Sequence, residues 1–167
     1  MEERKLTRCS IGDNKKFTWA QLQNEHWEER TLHSTEQYAG ELRDAYTRMA
    51  YVVQYVCGFR DNVKAIVEKT DIVSVSIEYS DIGGEVIRFV TIKADVYMPL
   101  IGARVKVTLP RLSEIFTDNF IAERKFSTII NELEDACFKY IDGYRAQTQL
   151  QFEKAEEMAE AAKEDVE

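Results

Sequence analysis

The sequence predicts an α+β fold: a three-stranded antiparallel meander packed against two long helices, with an additional N-terminal helix and an acidic helical C-terminal extension. Three observations carry that prediction. Apolar residues recur at spacings of three and four from Tyr38 to Val56 and again from Phe126 to Tyr144, the period of a helix with one buried face. Between Ile72 and Leu109 the period falls to two, the pattern of strands with one dry and one wet face. Beyond Tyr144 the stripe thins into a Glu, Lys, Ala and Gln-rich stretch with high helix propensity and little to bury.

Residues 1–16 are polar and mixed in charge, an arm with a short strand around Lys5–Ile11. A first helix is expected from Thr18 to about Arg30. Thr18 is its N-cap, Gln21 closes a capping box, and Phe17 and Leu22 form a hydrophobic staple. Trp19 and Trp27 then share a face of it and belong to the core. The same grammar recurs with Ser34 as N-cap and Gln37 at the third position. Behind it Tyr38, Leu42, Ala45, Tyr46, Met49, Val52, Val53 and Val56 form one face of a helix that stops at Gly58. A shorter helical piece over about Asp61–Lys69 places Val63, Ile66 and Val67 together.

In Ile72–Ser80, Val73, Val75, Ile77 and Tyr79 alternate with Ser74, Ser76, Glu78 and Ser80. Asp81-Ile82-Gly83-Gly84 makes a turn into a long strand, Glu85–Met98, with Val86, Val90, Ile92, Ala94 and Val96 on one side and Ile87 and Phe89 on the other. After Pro99-Leu100-Ile101-Gly102, a third strand alternates Ala103, Val105, Val107 and Leu109 with Arg104, Lys106 and Thr108. Pro110 suits a first helical turn, so a short turn is expected at Arg111–Phe116. The final helix carries Phe126, Ile129, Ile130, Leu133, Cys137, Tyr140, Ile141 and Tyr144, interrupted at Gly143. One stripe on each long helix suits a sheet covered on one face. The other face then shows Ser74, Ser76, Glu78, Arg104, Lys106 and Thr108.

At 167 residues, with no internal repeat and no Gly, Ser or Pro-rich linker, one domain is expected over 17–149, flanked by the arm 1–16 and the extension 150–167. No apolar run is long enough to cross a bilayer and the charged N-terminus precedes no hydrophobic stretch, so a soluble, cytoplasmic, unprocessed chain is expected. Cys9, Cys57 and Cys137 are an odd set, far apart, expected as reduced thiols, with Cys57 and Cys137 on apolar stripes acting as small hydrophobes.

The formal charge of −8 is uneven. Residues 1–16 carry five basic and three acidic side chains, whereas 153–167 carry two basic and seven acidic. An acidic surface repels phosphate backbones and favours basic partners. His26, Glu29 and His33 would share a face of a continuous helix, but Ser34 as a cap ends the helix before His33, and no other His or Cys cluster completes a metal site. No Gly-x-Ser-x-Gly elbow and no phosphate-binding loop is present, so neither a catalytic role nor a cofactor is assigned.

Two surfaces remain. The acidic extension offers Glu153, Glu156, Glu157 and Glu160, with Leu150 and Phe152 as apolar anchors, for a protein partner with a basic surface. In size and composition the chain resembles accessory and host-defence-inhibitor proteins of bacteriophages. That resemblance implies a non-enzymatic intracellular interaction protein that occupies a basic groove as a nucleic-acid mimic or pairs with a basic helix. The alternative is a module for single-stranded nucleic acid using Arg88, Arg104 and Lys106 on the sheet, with the acidic tail as an internal competitor. The order helix, three-strand meander, long helix resembles in outline the core of single-strand annealing proteins of the recombination-mediator type. A third expectation is self-assembly through the stripe Tyr140, Tyr144, Leu150 and Phe152.

Overall fold

A computed structural model describes residues 3–58, 70–98, 101–115 and 124–164, with backbone alone at 146–150, 152 and 164. The expected helical piece at 61–69 lies outside the described residues. The chain runs β1 (Arg4–Ile11), β2 (Lys15–Gln23), β3 (His26–Ser34), α1 (Gly40–Cys57), β4 (Thr70–Ile82), β5 (Glu85–Met98), β6 (Ala103–Thr108), β7 (Leu112–Ser113), α2 (Phe126–Ile141) and α3 (Ala146–Glu164). The fold is α+β, but the sheet has seven strands rather than three. Its order is β3-β2-β1-β4-β5-β6, antiparallel throughout, with β7 pairing β5 beside β6.

The expected N-terminal helix does not form; residues 15–34 are the β2/β3 hairpin. Gln23 pairs with His26, so the loop is the two residues Asn24 and Glu25, with φ of 50° and 65°. Two successive positive φ values are the signature of the turn whose twist matches paired strands. Phe17 and Trp19 alternate inward and are buried, while Trp27, on the edge strand, is 43% exposed. The two tryptophans therefore do not share a core-facing stripe.

Ser34 is not the cap of α1. It ends β3, and its hydroxyl accepts from the Glu36 N–H (3.1 Å). The helix starts six residues later, after Ala39, with no side-chain cap. It stops where expected: Gly58 is left-handed (φ 71°) and its N–H closes on the Gln54 and Tyr55 carbonyls. The second stripe also breaks early. α2 ends at Ile141, Gly143 takes φ 105°, and Tyr144 N–H returns to the Lys139 carbonyl (2.9 Å) before α3 begins.

Within β4 a bulge between Ile72 and Ser74 shifts the register against β5. Ile72 then packs on the core and Val73, the extra residue, is 51% exposed, contrary to the simple alternation. Val86 is also exposed, near the far end of the β4/β5 hairpin. Instead of a helical turn after Pro110, Leu112 pairs with Val90 and Ser113 with Phe89.

Both α1 and α2 lie on one face. Leu42, Met49 and Val53 of α1 and Ile129, Leu133 and Tyr140 of α2 meet Leu6, Cys9, Phe17, Val75, Ile92 and Val96 of the sheet in a single core. Each such aliphatic side chain contributes roughly 1.5–3 kcal/mol by leaving water. The Tyr140 hydroxyl donates to the Glu36 carbonyl (2.7 Å) and meets the Ser34 hydroxyl (2.8 Å), tying α2 to the segment between β3 and α1. Arg4 forks onto the Asp142 carboxylate (2.7 and 2.9 Å), fixing the start of β1 to the end of α2. The opposite sheet face is left without a helix among the described residues.

Candidate functional site

The acidic helix α3 is exposed along its length: every one of its described side chains is solvent-facing. Five glutamates and two lysines fall within it. Glu153, Glu156, Glu157 and Glu160 stand at i, i+3, i+4 and i+7 and so form one carboxylate face, while Ala155, Met158, Ala159 and Ala162 repeat the same spacing on the opposite side. Like charges at these spacings oppose the helix by about 0.2–0.5 kcal/mol per pair, a load that a row of cations would relieve. Leu150 and Phe152 lie on α3 at positions whose side chains are outside the described ones.

The open sheet face is assembled by register. Thr31, Thr18, Arg8, Ser76 and Thr91 are successive cross-strand partners from β3 to β5. One same-face step along the strands, His33 pairs Lys16, Lys16 pairs Ser10, Ser74 pairs Lys93 and Lys93 pairs Thr108. Ser10 and Ser74 are joined by continuing the β1/β4 register from Arg8 and Ser76. These two rows hold hydroxyls, Arg8, Lys16, Lys93 and His33, and no carboxylate.

Of the three basic residues expected on this face, Lys106 is exposed there, opposite Asp95. Arg104 is also there but is paired with Asp71 and Asp95. Arg88 is not. The alternation that points Val90 and Ile92 into the core carries Arg88 to the helix side as well. There its Nε and Nη2 donate to Glu114 (3.1 and 2.8 Å), Nη2 reaches the Ser127 carbonyl (3.3 Å), and Nη1 lies 3.3 Å from Glu134. Burial raises the Glu114 carboxyl, but the Arg88 hydrogen bonds outweigh it and hold the group below its usual range. Burial likewise raises Glu134, and there Tyr79 and Arg88 offset it only in part, leaving the carboxyl above its usual range. The Tyr79 hydroxyl, pushed up by burial and by Glu134, sits between that carboxylate and the Leu6 carbonyl (3.1 Å). This cluster braces β5 against α2 and leaves Arg88 with no free fork for a phosphate.

His26, Glu29 and His33 lie on β3, where odd and even positions face opposite sides, so His26 is turned away from the other two. Seven residues of strand also separate the histidines by about 23 Å. Among the described residues no group of three His, Cys, Asp or Glu side chains is placed to hold a metal ion. Cys137 is buried, as expected, whereas Cys57, expected on an apolar stripe, is exposed; Cys9 is buried as well. No described helix is long and apolar enough to cross a membrane.

Lys93 lies on the long strand expected over Glu85–Met98, whereas Arg8 and Lys16 fall in the expected arm 1–16, whose short strand around Lys5–Ile11 the sequence does not assign to the sheet and whose far end is expected to lead into a helix. Alternation through Lys15–Gln23 was the available signal. No protein family, curated protein or solved structure matches this chain.

Proposed function

We propose that this chain is a non-enzymatic intracellular interaction protein that binds a protein with a basic surface through the carboxylate face of α3. Residues 150–167 act as the docking extension. The observation that carries the reading is the geometry of that helix: Glu153, Glu156, Glu157 and Glu160 on one face, exposed, on an element whose described side chains are all in solvent. A helix in this state has no internal reason to be straight and acidic on one side, whereas docking on a row of lysines or arginines removes its self-repulsion. The spacing of carboxylates along such a rod suits a groove that otherwise holds phosphates. An accessory protein or an inhibitor of a host defence or nucleic-acid-binding protein would work in this way. Leu150 and Phe152 would supply apolar anchors beside the charged row.

The test uses the quadruple variant Glu153→Lys, Glu156→Lys, Glu157→Lys and Glu160→Lys and a chain ending at Gln149. The intact protein retains a partner from lysate after nuclease treatment, and the purified partner then gives an affinity by titration. Both variants keep the thermal transition of the body and lose at least about 100-fold in affinity, the scale of several charge pairs at an interface. An undiminished affinity in the quadruple variant would end the proposal.

A further inference from the structure

The open face of the sheet carries a second binding surface, independent of α3. Among the described residues every arginine except Arg8 is in an ion pair. Arg8 lies on β1 inside the sheet, exposed, between Thr18 and Ser76. Lys16 on β2 and Lys93 on β5 are one same-face step away, exposed, and likewise without an ion pair among the described residues. A folded protein that neutralises its other arginines but leaves three cations together on a flat face has a surface suited to anions.

What surrounds these cations sharpens the class of anion. Thr31, Thr18, Ser10, Ser76, Thr91 and Thr108, with His33 and the buried Ser74, fill the remaining places of the two rows. The hydroxyls other than that of Ser74 can donate to phosphate oxygens, and their shortness lets a backbone approach the sheet closely. Among the carboxylates of this face, Asp71, Asp95 and Glu78 are held by Arg104 and Arg111, while Glu29, opposite Ala20, lies one step beyond Thr31 at the β3 edge, away from Lys93. Arg111 lies flat on the Phe89 ring, 3.7 Å from its centroid, one row beyond Thr91. A guanidinium plane backed by an aromatic ring is a place for an unstacked base. The longer row crosses six strands, about 24 Å, and Lys16 stands three strand spacings, about 14 Å, from Lys93. That reach fits several phosphates of an extended strand.

We propose that this face binds a single-stranded nucleic acid, its phosphates held by Arg8, Lys16, Lys93 and Lys106 over the hydroxyl rows and a base placed on the Arg111–Phe89 stack.

The experiment is a fluorescence-anisotropy titration of full-length protein into a labelled oligothymidylate, compared with a duplex, at several salt concentrations. The face variant is Arg8→Ala, Lys16→Ala and Lys93→Ala, residues whose exposure leaves the core untouched. The control, Lys125→Ala, Lys154→Ala and Lys163→Ala, removes the same charge elsewhere. Wild type and control bind the oligonucleotide alike and more tightly than the duplex. The face variant binds at least tenfold more weakly, and its salt slope falls by about 2, since each single-strand phosphate contact contributes about 0.7. The four contacts of the wild type imply a loss of about 50-fold between about 50 and about 200 mM salt. No binding by wild type at low salt overturns the proposal, as does an equal loss in both triple variants, which would report net charge alone. Should the face variant instead abolish a concentration-dependent rise in mass while oligonucleotide titrations stay flat, the face is a seat for the acidic helix of a second copy and the nucleic-acid assignment is refuted.

Discussion

Replacing Arg88 with Met tests whether the cluster on the helix side of β5 is a brace or a ligand site. In the folded chain Arg88, Glu114 and Glu134 are 13%, 14% and 19% exposed, so the guanidinium neutralises two carboxylates that water reaches poorly. Removing one partner of a buried ion pair costs about 3–5 kcal/mol because the charge left behind is uncompensated. The pH dependence follows from the two carboxyls. Glu134 sits above its usual pKa, so its contribution is present when it is protonated and is lost as pH rises through its folded pKa. Glu114 sits below, so its contribution is present above its ordinary pKa and is lost as pH falls through its folded value. Every influence that lowers Glu114 comes from Arg88. In the variant the backbone N–H of residue 88 still donates to Glu114 (2.9 Å), but the guanidinium's hydrogen bonds and charge are gone, so both carboxyls rise relative to the wild type and protonation becomes the relief. Urea denaturation should therefore show a deficit of about 3–5 kcal/mol near neutrality that shrinks as the solution is acidified and the raised carboxyls protonate. A deficit under about 1 kcal/mol, or one that does not change with pH, would mean that Arg88 is not bracing these groups.

The bulge in β4 predicts that Val73→Ala changes stability by less than about 0.5 kcal/mol, whereas Val75→Ala, at a fully buried position, costs about 2 kcal/mol or more; equal losses by urea denaturation would restore simple alternation. Gly58→Ala places a Cβ in open space but at φ 71°, so it costs about 1 kcal/mol from backbone strain alone, read as a lower urea midpoint. Emission from Trp27→Phe, which keeps the 8% exposed Trp19, should be blue and resist acrylamide, and Trp19→Phe should give the reverse; similar quenching of both would contradict the β2/β3 hairpin.

Sequence periodicity was informative where one period persisted for many residues. The α1 and α2 stripes and the alternation of β4 to β6 each repeat over several turns or pairs, and a single bulge or glycine displaced only their ends. The β2/β3 hairpin was hidden for local reasons. Thr18 and Gln21 imitate a capping box, and Ala20, Gln21, Leu22 and Glu28 are good helix formers. The turn that would have announced two strands needs positive φ at both central residues, and here the second is Glu25 rather than the usual glycine. Pairing with β1, which shields Phe17 and Trp19 on the helix side, overrode those local preferences. The failed cap at Ser34 has the same origin, since the hairpin must end before α1 can begin.

Net charge concealed the two surfaces for a different reason. A value of −8 sums a carboxylate helix and a cationic sheet face that the fold keeps on separate elements. Fields of exposed groups fade over about 10 Å at moderate salt, so the field beside each surface is set by its own residues rather than by the total. Arg88, Arg104 and Lys106 look equivalent in sequence, yet register sends the first to a carboxylate cluster, pairs the second with Asp71 and Asp95, and leaves only the third without an ion pair among the described residues. Arg8 lies in a segment with no apolar signal beyond Leu6, Cys9 and Ile11, and it gains its significance only when β1 is inserted between β2 and β4. A charge becomes available to a ligand when folding separates it from counter-charges, and that separation is a property of cross-strand pairing that no local count of basic residues contains.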